Sequence, residues 1–268
     1  MAHVEVEPGV RLFYRDLGAG RPVVLVHGWT MTHAVWDTLV QDLAPRYRVI
    51  LPDLRGHGDS DKPFGDYGPE RHAADLAVLM EQLGLREVTL VGWSFGGMVA
   101  MRAAAAHADR LAQAVLVNAA GPKYLATDDF PHGHAEADLA QWLRREREEL
   151  APWRRFTMES MPARPYDALF TEWLWTESMR TPSWAAAPML DAFARADLRA
   201  DLDDISIPVL VLHGMHDAWC VSAAAQYVAE RVADGELVEF SASGHSPQWE
   251  ESEKFSRVLN AFLERADA

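Results

Sequence analysis

Short apolar runs recur along this chain: Val23 to Val26, Val49 to Leu51, Val88 to Val91, Ala114 to Val117, Val209 to Leu212 and Leu237 to Phe240. Each is short and dominated by branched apolar side chains, with Thr89 and Glu239 as the polar exceptions, which predicts buried parallel strands. Between them the period changes. Leu76, Leu79, Met80 and Leu83 fall at i, i+3, i+4 and i+7, and Phe255, Val258, Leu259, Phe262 and Leu263 repeat that spacing near the end. Both predict amphipathic helices laid on the sheet. Two early runs, Glu5–Val6 and Leu12 to Tyr14, flank Pro8-Gly9 and predict an antiparallel hairpin at the sheet edge. The expectation is an α/β fold with a mostly parallel eight-stranded sheet and helices on both faces.

The alternation stops between Lys123 and about Arg199, where strand-like runs vanish and Trp142, Trp153, Trp173, Trp175 and Trp184 stand among Arg, Glu and Pro. This predicts a helical cap at 123–199 inserted into a core domain formed by 1–122 and 200–268. Helices are expected over Asp138 to Leu150 and over Tyr166 to Met179. Some of these indoles must pack the cap helices on one another. The rest predict a lid with an apolar underside, with Trp153, Trp175 and Trp184 as candidate substrate-binding walls.

Composition narrows the partners. With 49% hydrophobic and 24% charged residues the 268-residue chain has the make-up of a globular protein. Its formal charge of −15 repels phosphate backbones and anionic lipid, so neither nucleic acid nor a membrane is an expected partner. No stretch approaches the ~18 apolar residues of a membrane span, and Met1 to Pro8 lacks the basic and apolar regions of a leader. Cys220 is the only cysteine, so no internal disulfide is expected, consistent with a cytoplasmic location. No metal-ligand spacing or phosphate-cradling glycine loop stands out, so no metal and no organic cofactor is expected.

The candidate chemistry begins at Gly92-Trp93-Ser94-Phe95-Gly96, which follows a strand and opens the helical run Met98 to Ala106. In that setting G-x-S-x-G reads as a nucleophile elbow, with Ser94 on a tight turn that lifts its hydroxyl clear of the sheet. An alcohol needs a base to take its proton. Of eleven histidines, His245 is favoured because Gly244-His245 lies in the loop after the last strand; His27, His57 and His216 also sit at strand ends. The base needs an acid behind it. Asp217 follows the strand Val209 to Gly214 and falls between nucleophile and base in chain order; its alternative reading is a helix-capping aspartate. A second possible acid position, after the strand that ends at Val117, holds Asn118 and no carboxylate. The backbone N–H groups of Phe95 and Trp29 are the expected oxyanion hole, with the Trp29 indole as a further pocket wall.

His27-Gly28-Trp29, Asp53-Leu54-Arg55-Gly56-His57-Gly58-Asp59-Ser60, Gly92 to Gly97, Gly214 to Asp217 and Gly244 to Pro247 resemble, in order, the landmarks of the α/β-hydrolase superfamily. Within it the chain is similar to small bacterial arylesterases and cofactor-free haloperoxidases or perhydrolases. The resemblance implies the α/β-hydrolase fold and a serine hydrolase that cleaves a carboxylic ester or lactone through an acyl-enzyme on Ser94. It also implies that Asp53 to Ser60 is a structural loop. Peroxide-using members commonly carry proline after H-G-W, where this chain has Thr30. Alternatives are perhydrolase, haloperoxidase or dioxygenase chemistry, carbon–carbon bond hydrolysis, or a ligand receptor without turnover.

Overall fold

The computed structural model describes residues 2–266. Met1, where the leader reading began, and Asp267 and Ala268 at the end of the predicted core domain lie outside the described residues.

Eight strands form one sheet: β1 (Ala2–Glu7), β2 (Val10–Leu17), β3 (Pro22–Val26), β4 (Arg48–Pro52), β5 (Val88–Trp93), β6 (Leu111–Val117), β7 (Val209–Gly214) and β8 (Gly235–Phe240). Their spatial order is β1-β2-β4-β3-β5-β6-β7-β8. Only β2 runs against its neighbours, pairing antiparallel with β1 and with β4. The predicted hairpin therefore extends further than its apolar residues. β2 runs on through Arg15 and Asp16 because it pairs with β4 from Tyr14↔Pro52 to Leu17↔Val49, and Asp16 meets Arg48 of that strand at 2.7 Å.

The unbroken apolar runs have a direct cause. Successive residues of one strand point to opposite faces, and here both faces are covered. Val24, Leu90, Leu116 and Val211 pack with helices α2 (Pro69–Gln82), α3 (Phe95–Ala106) and α8 (Ser222–Arg231). Their neighbours Leu25, Val91, Val117 and Leu212 pack with α1 (Asp37–Leu43) and α10 (Ser252–Arg265).

Helices α4 (Glu136–Glu148), α5 (Leu150–Glu159), α6 (Ala168–Ser178) and α7 (Ser183–Arg195) all fall between β6 and β7. The chain enters and leaves this segment side by side: Lys123 bridges Asp197, and the Leu198 N–H donates to the Pro122 carbonyl at 2.7 Å. The helix expected over Asp138 to Leu150 is present as α4 but ends at Glu148, two residues early. Glu149 leaves helical geometry at φ −130°, because a proline at 152 would drive its ring into the Glu148 carbonyl if the helix continued. Proline is tolerated in the first turn of α5, so the chain restarts in a new direction. α9 (Pro247–Glu250) completes the helices among the described residues. No helix there is long and apolar enough to cross a membrane.

Candidate active site

Ser94 is the single residue between β5 and α3, with φ 57° and ψ −120°. A side chain in that backbone region costs of order 1–3 kcal/mol. Four backbone hydrogen bonds hold it: Ser94 N–H to the Val117 carbonyl at 2.9 Å, and the N–H groups of Gly97 and Ala120 at 3.0 Å each and of Met98 at 3.3 Å to the Ser94 carbonyl. Glycine is required beside it by contact. A Cβ on Gly92 would lie 2.2 Å from the Gly96 carbonyl oxygen, and one on Gly96 would lie 2.5 Å from the His27 carbonyl oxygen. The loop after β3 thus presses against the elbow, and Gly28 approaches so closely that a Cβ there would stand 3.0 Å from Ser94 Cβ.

Asp217 and His245, from the loops after β7 and β8, meet at this edge. His245 Nδ1 lies 2.7 Å from Asp217 Oδ2. The carboxylate is buried and fully engaged: Oδ2 also accepts from Asn118 Nδ2 at 2.6 Å, while Oδ1 accepts from the Trp219 N–H at 2.7 Å and the Cys220 N–H at 3.1 Å. Burial pushes its carboxyl up, but the imidazole and these donors outweigh burial and hold it below the ordinary range. Asn118, the position without a carboxylate, is therefore part of the site. Its φ of 40° turns the amide towards the loop of the neighbouring strand, and its Oδ1 accepts from Gly214 N–H at 3.2 Å. The Trp93 indole, inside the serine motif, donates to the His245 carbonyl at 2.8 Å, and His245 N–H donates to the Met161 carbonyl at 2.8 Å.

The competing histidines are otherwise engaged. His27 and His57 are fully buried. Their Nε2 atoms accept from the backbone N–H groups of Leu54 at 2.9 Å and Thr30 at 3.1 Å, which stitches the His27 to Thr30 loop to the Asp53 to Ser60 loop. His216 is exposed and faces the Ser241 carbonyl. Asp53 supports the same corner, taking the His33 N–H at 2.7 Å and the Asp59 N–H at 2.8 Å.

Ser94 and His245 both line a cavity of about 560 Å³, counting its open mouth. Its other walls are almost wholly apolar. Trp29 and Trp153, two of the four expected wall residues, line it; Trp175 and Trp184 do not. The reason is helical phase. From α5 the cavity is faced by Trp153, Thr157 and Met158, and from α7 by Leu190 and Phe193, each set on one helix face. Trp184 is six residues before Leu190, about 120° around the helix, and stands 52% exposed against Phe64. Trp175 donates its indole N–H to the Ala151 carbonyl. Trp142, Trp219, Tyr124, Trp93, Met31 and Met161 also line the cavity and were not singled out as walls from the sequence. For Trp219 a signal existed, since it lies two residues after Asp217.

The family described as alpha/beta hydrolase fold matches residues 21–252. The chain belongs to that family. It is similar to a non-heme chloroperoxidase of Streptomyces lividans, 33% identical over 98% of this chain and 99% of the relative. It is also similar to a pimeloyl-[acyl-carrier protein] methyl ester esterase of Nitrosomonas europaea, 31% identical over 91% and 96%. Among solved structures, an esterase from Exiguobacterium antarcticum superposes with a TM-score of 0.95 at 27% identity, covering 98% of each chain. This α/β-hydrolase is thus an enzyme of the hydrolase type.

One group of possible metal donors falls inside the same hydrolase site: ligand atoms of Asp217, Cys220 and His245 lie within 4.8 Å of one another. The donor set is a poor one. Asp217 already accepts four hydrogen bonds, and burial pushes the Cys220 thiol well above its ordinary range, so it stays protonated rather than becoming a thiolate ligand.

Two predictions follow from this hydrolase's geometry. Because backbone, not a flexible side chain, blocks the space at Gly92, Gly92→Ala is expected to cost at least about 3 kcal/mol; Gly84→Ala, in open space at φ 65°, is expected to cost only about 1 kcal/mol. Urea unfolding of the two variants gives the comparison, and equal losses would reject the contact argument. The second concerns pH. Burial lowers His27 to about 4, while the unfolded ring takes a proton near 6.5. The unfolded state therefore binds more protons as pH falls, and stability drops between about 6.5 and 4. His27 alone accounts for a loss of about 2 kcal/mol between pH 7 and pH 5. Urea midpoints at the two pH values measure it, and His27→Asn is expected to flatten the slope.

Proposed function

We propose that the protein is a serine esterase that cleaves a carboxylic ester or lactone with an apolar, aromatic-sized acyl group. The observation that carries this reading is the elbow serine sharing one cavity with a histidine whose far nitrogen is 2.7 Å from a buried, four-bonded carboxylate. In the proposed reaction His245 Nε2 takes the proton of Ser94 Oγ as the oxygen attacks the substrate carbonyl carbon. The carbonyl electrons move onto oxygen, which the Trp29 and Phe95 N–H groups stabilise. Collapse expels the alcohol, protonated by the imidazolium, and leaves an acyl-enzyme that a water, deprotonated by His245, then hydrolyses. The transfer requires Ser94 Oγ and His245 Nε2 to come within hydrogen-bond reach when substrate is loaded. Asp217 keeps the proton on Nδ1 and stabilises the imidazolium. The 123–199 segment serves as a cap over the acyl pocket.

Esterases and non-heme haloperoxidases both stand among the relatives, so the preference for hydrolysis over peroxide chemistry rests on one local feature. Thr30 has φ 62° and gives its N–H to His57 at 3.1 Å. Proline could neither adopt that φ nor donate that bond, so the loop here is shaped differently from one with proline after H-G-W.

The test is steady-state hydrolysis of p-nitrophenyl esters. Ser94→Ala is expected to lose activity by at least about 10³-fold, and Asp217→Asn by about 10³- to 10⁴-fold because the wrong tautomer of His245 is favoured. A fluorophosphonate should label Ser94. Multiple turnovers by Ser94→Ala, or labelling elsewhere, would sink the acyl-enzyme reading.

A further inference from the structure

The cap contains one ion pair with no exposure at either side chain, Glu146 of α4 with Arg154 of α5. The pairing is two-pronged: Nε to Oε2 at 2.7 Å and Nη2 to Oε1 at 2.6 Å. The guanidinium also donates to the carbonyl of Ser178 at 2.5 Å and to that of Thr181 at 3.3 Å. Arg154 thereby gathers α4, α5, the end of α6 and the segment leading to α7. It does one thing more. Its Cζ lies over the Trp29 ring, 5.1 Å from the centroid, and the Trp29 indole N–H donates to the Ala186 carbonyl of α7 at 3.0 Å. The core residue next to the nucleophile is gripped on its face and at its edge by the cap.

Burying two charges is expensive, and a well-packed apolar pair is often as stable or more so. A cap that needed only to cohere would not require a guanidinium, whereas a flat cation fixed by four hydrogen bonds makes a rigid platform for an indole. Trp29 is joined to Gly28, whose Cα packs against Ser94, so the angle of the indole and the aim of the Trp29 N–H are set together.

We propose that Arg154, held by Glu146, is a positioning residue for the oxyanion hole: it acts through the Trp29 indole to aim the Trp29 N–H at the developing oxyanion. This rests on the assignment of that N–H under the proposed function. The cap is then part of the transition-state machinery as well as a wall of the pocket.

The test uses Glu146→Leu/Arg154→Met, which removes both charges together and leaves neither stranded. Three quantities are measured in the full-length enzyme: kcat and KM for a p-nitrophenyl ester, affinity for a boronic acid that forms a tetrahedral adduct on serine, and affinity for a non-hydrolysable ether isostere of the substrate. The expected result is a fall in kcat of about 10- to 100-fold, a matching loss of boronate affinity, and KM and ether affinity within about 3-fold of the unaltered enzyme. Arg155→Met, at an exposed ion pair one residue along the same helix, should change none of these. A kcat within 2-fold of the unaltered enzyme, or parallel losses of boronate and ether affinity, would overturn the proposal, the latter showing a packing role only. If the double variant does not fold, Arg154→Lys, which keeps the charge without the planar fork, should show a smaller loss of kcat with the ether affinity intact; no selective loss there overturns it equally. A different failure is recognisable: if the unaltered enzyme itself does not favour the boronate over the ether, the serine acyl-transfer reading has failed and the proposal goes with it.

Discussion

The whole site hangs on how closely backbone can approach backbone at the top of β5. Ser94 sits at φ 57° because β5 must turn at once into α3, with no room for a Cβ on the residues flanking the turn. The strain is held by the centre of the sheet: Val117 of β6 accepts the Ser94 N–H, and the carbonyls of Val26 and His27, at the end of β3, press on Gly96. A strained turn at a sheet edge could relax. One placed between β3 and β6, with helices on both faces, cannot relax without disturbing the most buried strands.

The same edge separates two kinds of histidine by the groups that meet them. His27 and His57 accept backbone N–H groups, have no solvent contact and are lowered by burial, so they remain neutral struts tying two loops together. His245 instead has a carboxylate behind Nδ1 and the cavity before it. Asp217 can stay ionised in a buried place because its four donors replace water. Asp53 is held in the same way, buried and bonded to His33 and Asp59, but Asp217 differs in having an imidazole that opens onto the cavity on its far side.

Much of the fold was legible because a sheet covered on both faces leaves uninterrupted apolar runs, and Val23 to Val26 or Val209 to Leu212 permit no other reading. Chain order placed Ser94, Asp217 and His245 on loops that the strand order then brought to one edge. What stayed hidden depended on which strands are neighbours and on helical phase. Asn118 looked irrelevant for lack of a charge, but β6 lies beside β7, so its amide reaches Asp217. The phase of the helices between β6 and β7 was unreadable until the break at Glu149 was known, since Pro152 restarts α5 and so decides that Trp153 faces inward. Trp184 was misplaced for the same kind of reason: a tryptophan count cannot tell which side of α7 an indole occupies.

The cavity's chemistry also bears on turnover. A neutral ester gains by leaving water for walls made of Trp29, Trp142, Trp153, Trp219 and Phe193, at roughly 25 cal/mol for each Å² of apolar surface buried. In the proposed reaction, the carboxylate released from the acyl-enzyme would stand on the other side of that balance. It would be an ion in an apolar chamber, and an ion desolvated without partners costs several kcal/mol. Behind the imidazole, Asp217 keeps its own negative charge, and the chain as a whole carries −15. Under the proposed reaction, such a site would attract its substrate by burial and expel its acid by charge, so that the walls conferring affinity would not retain the product.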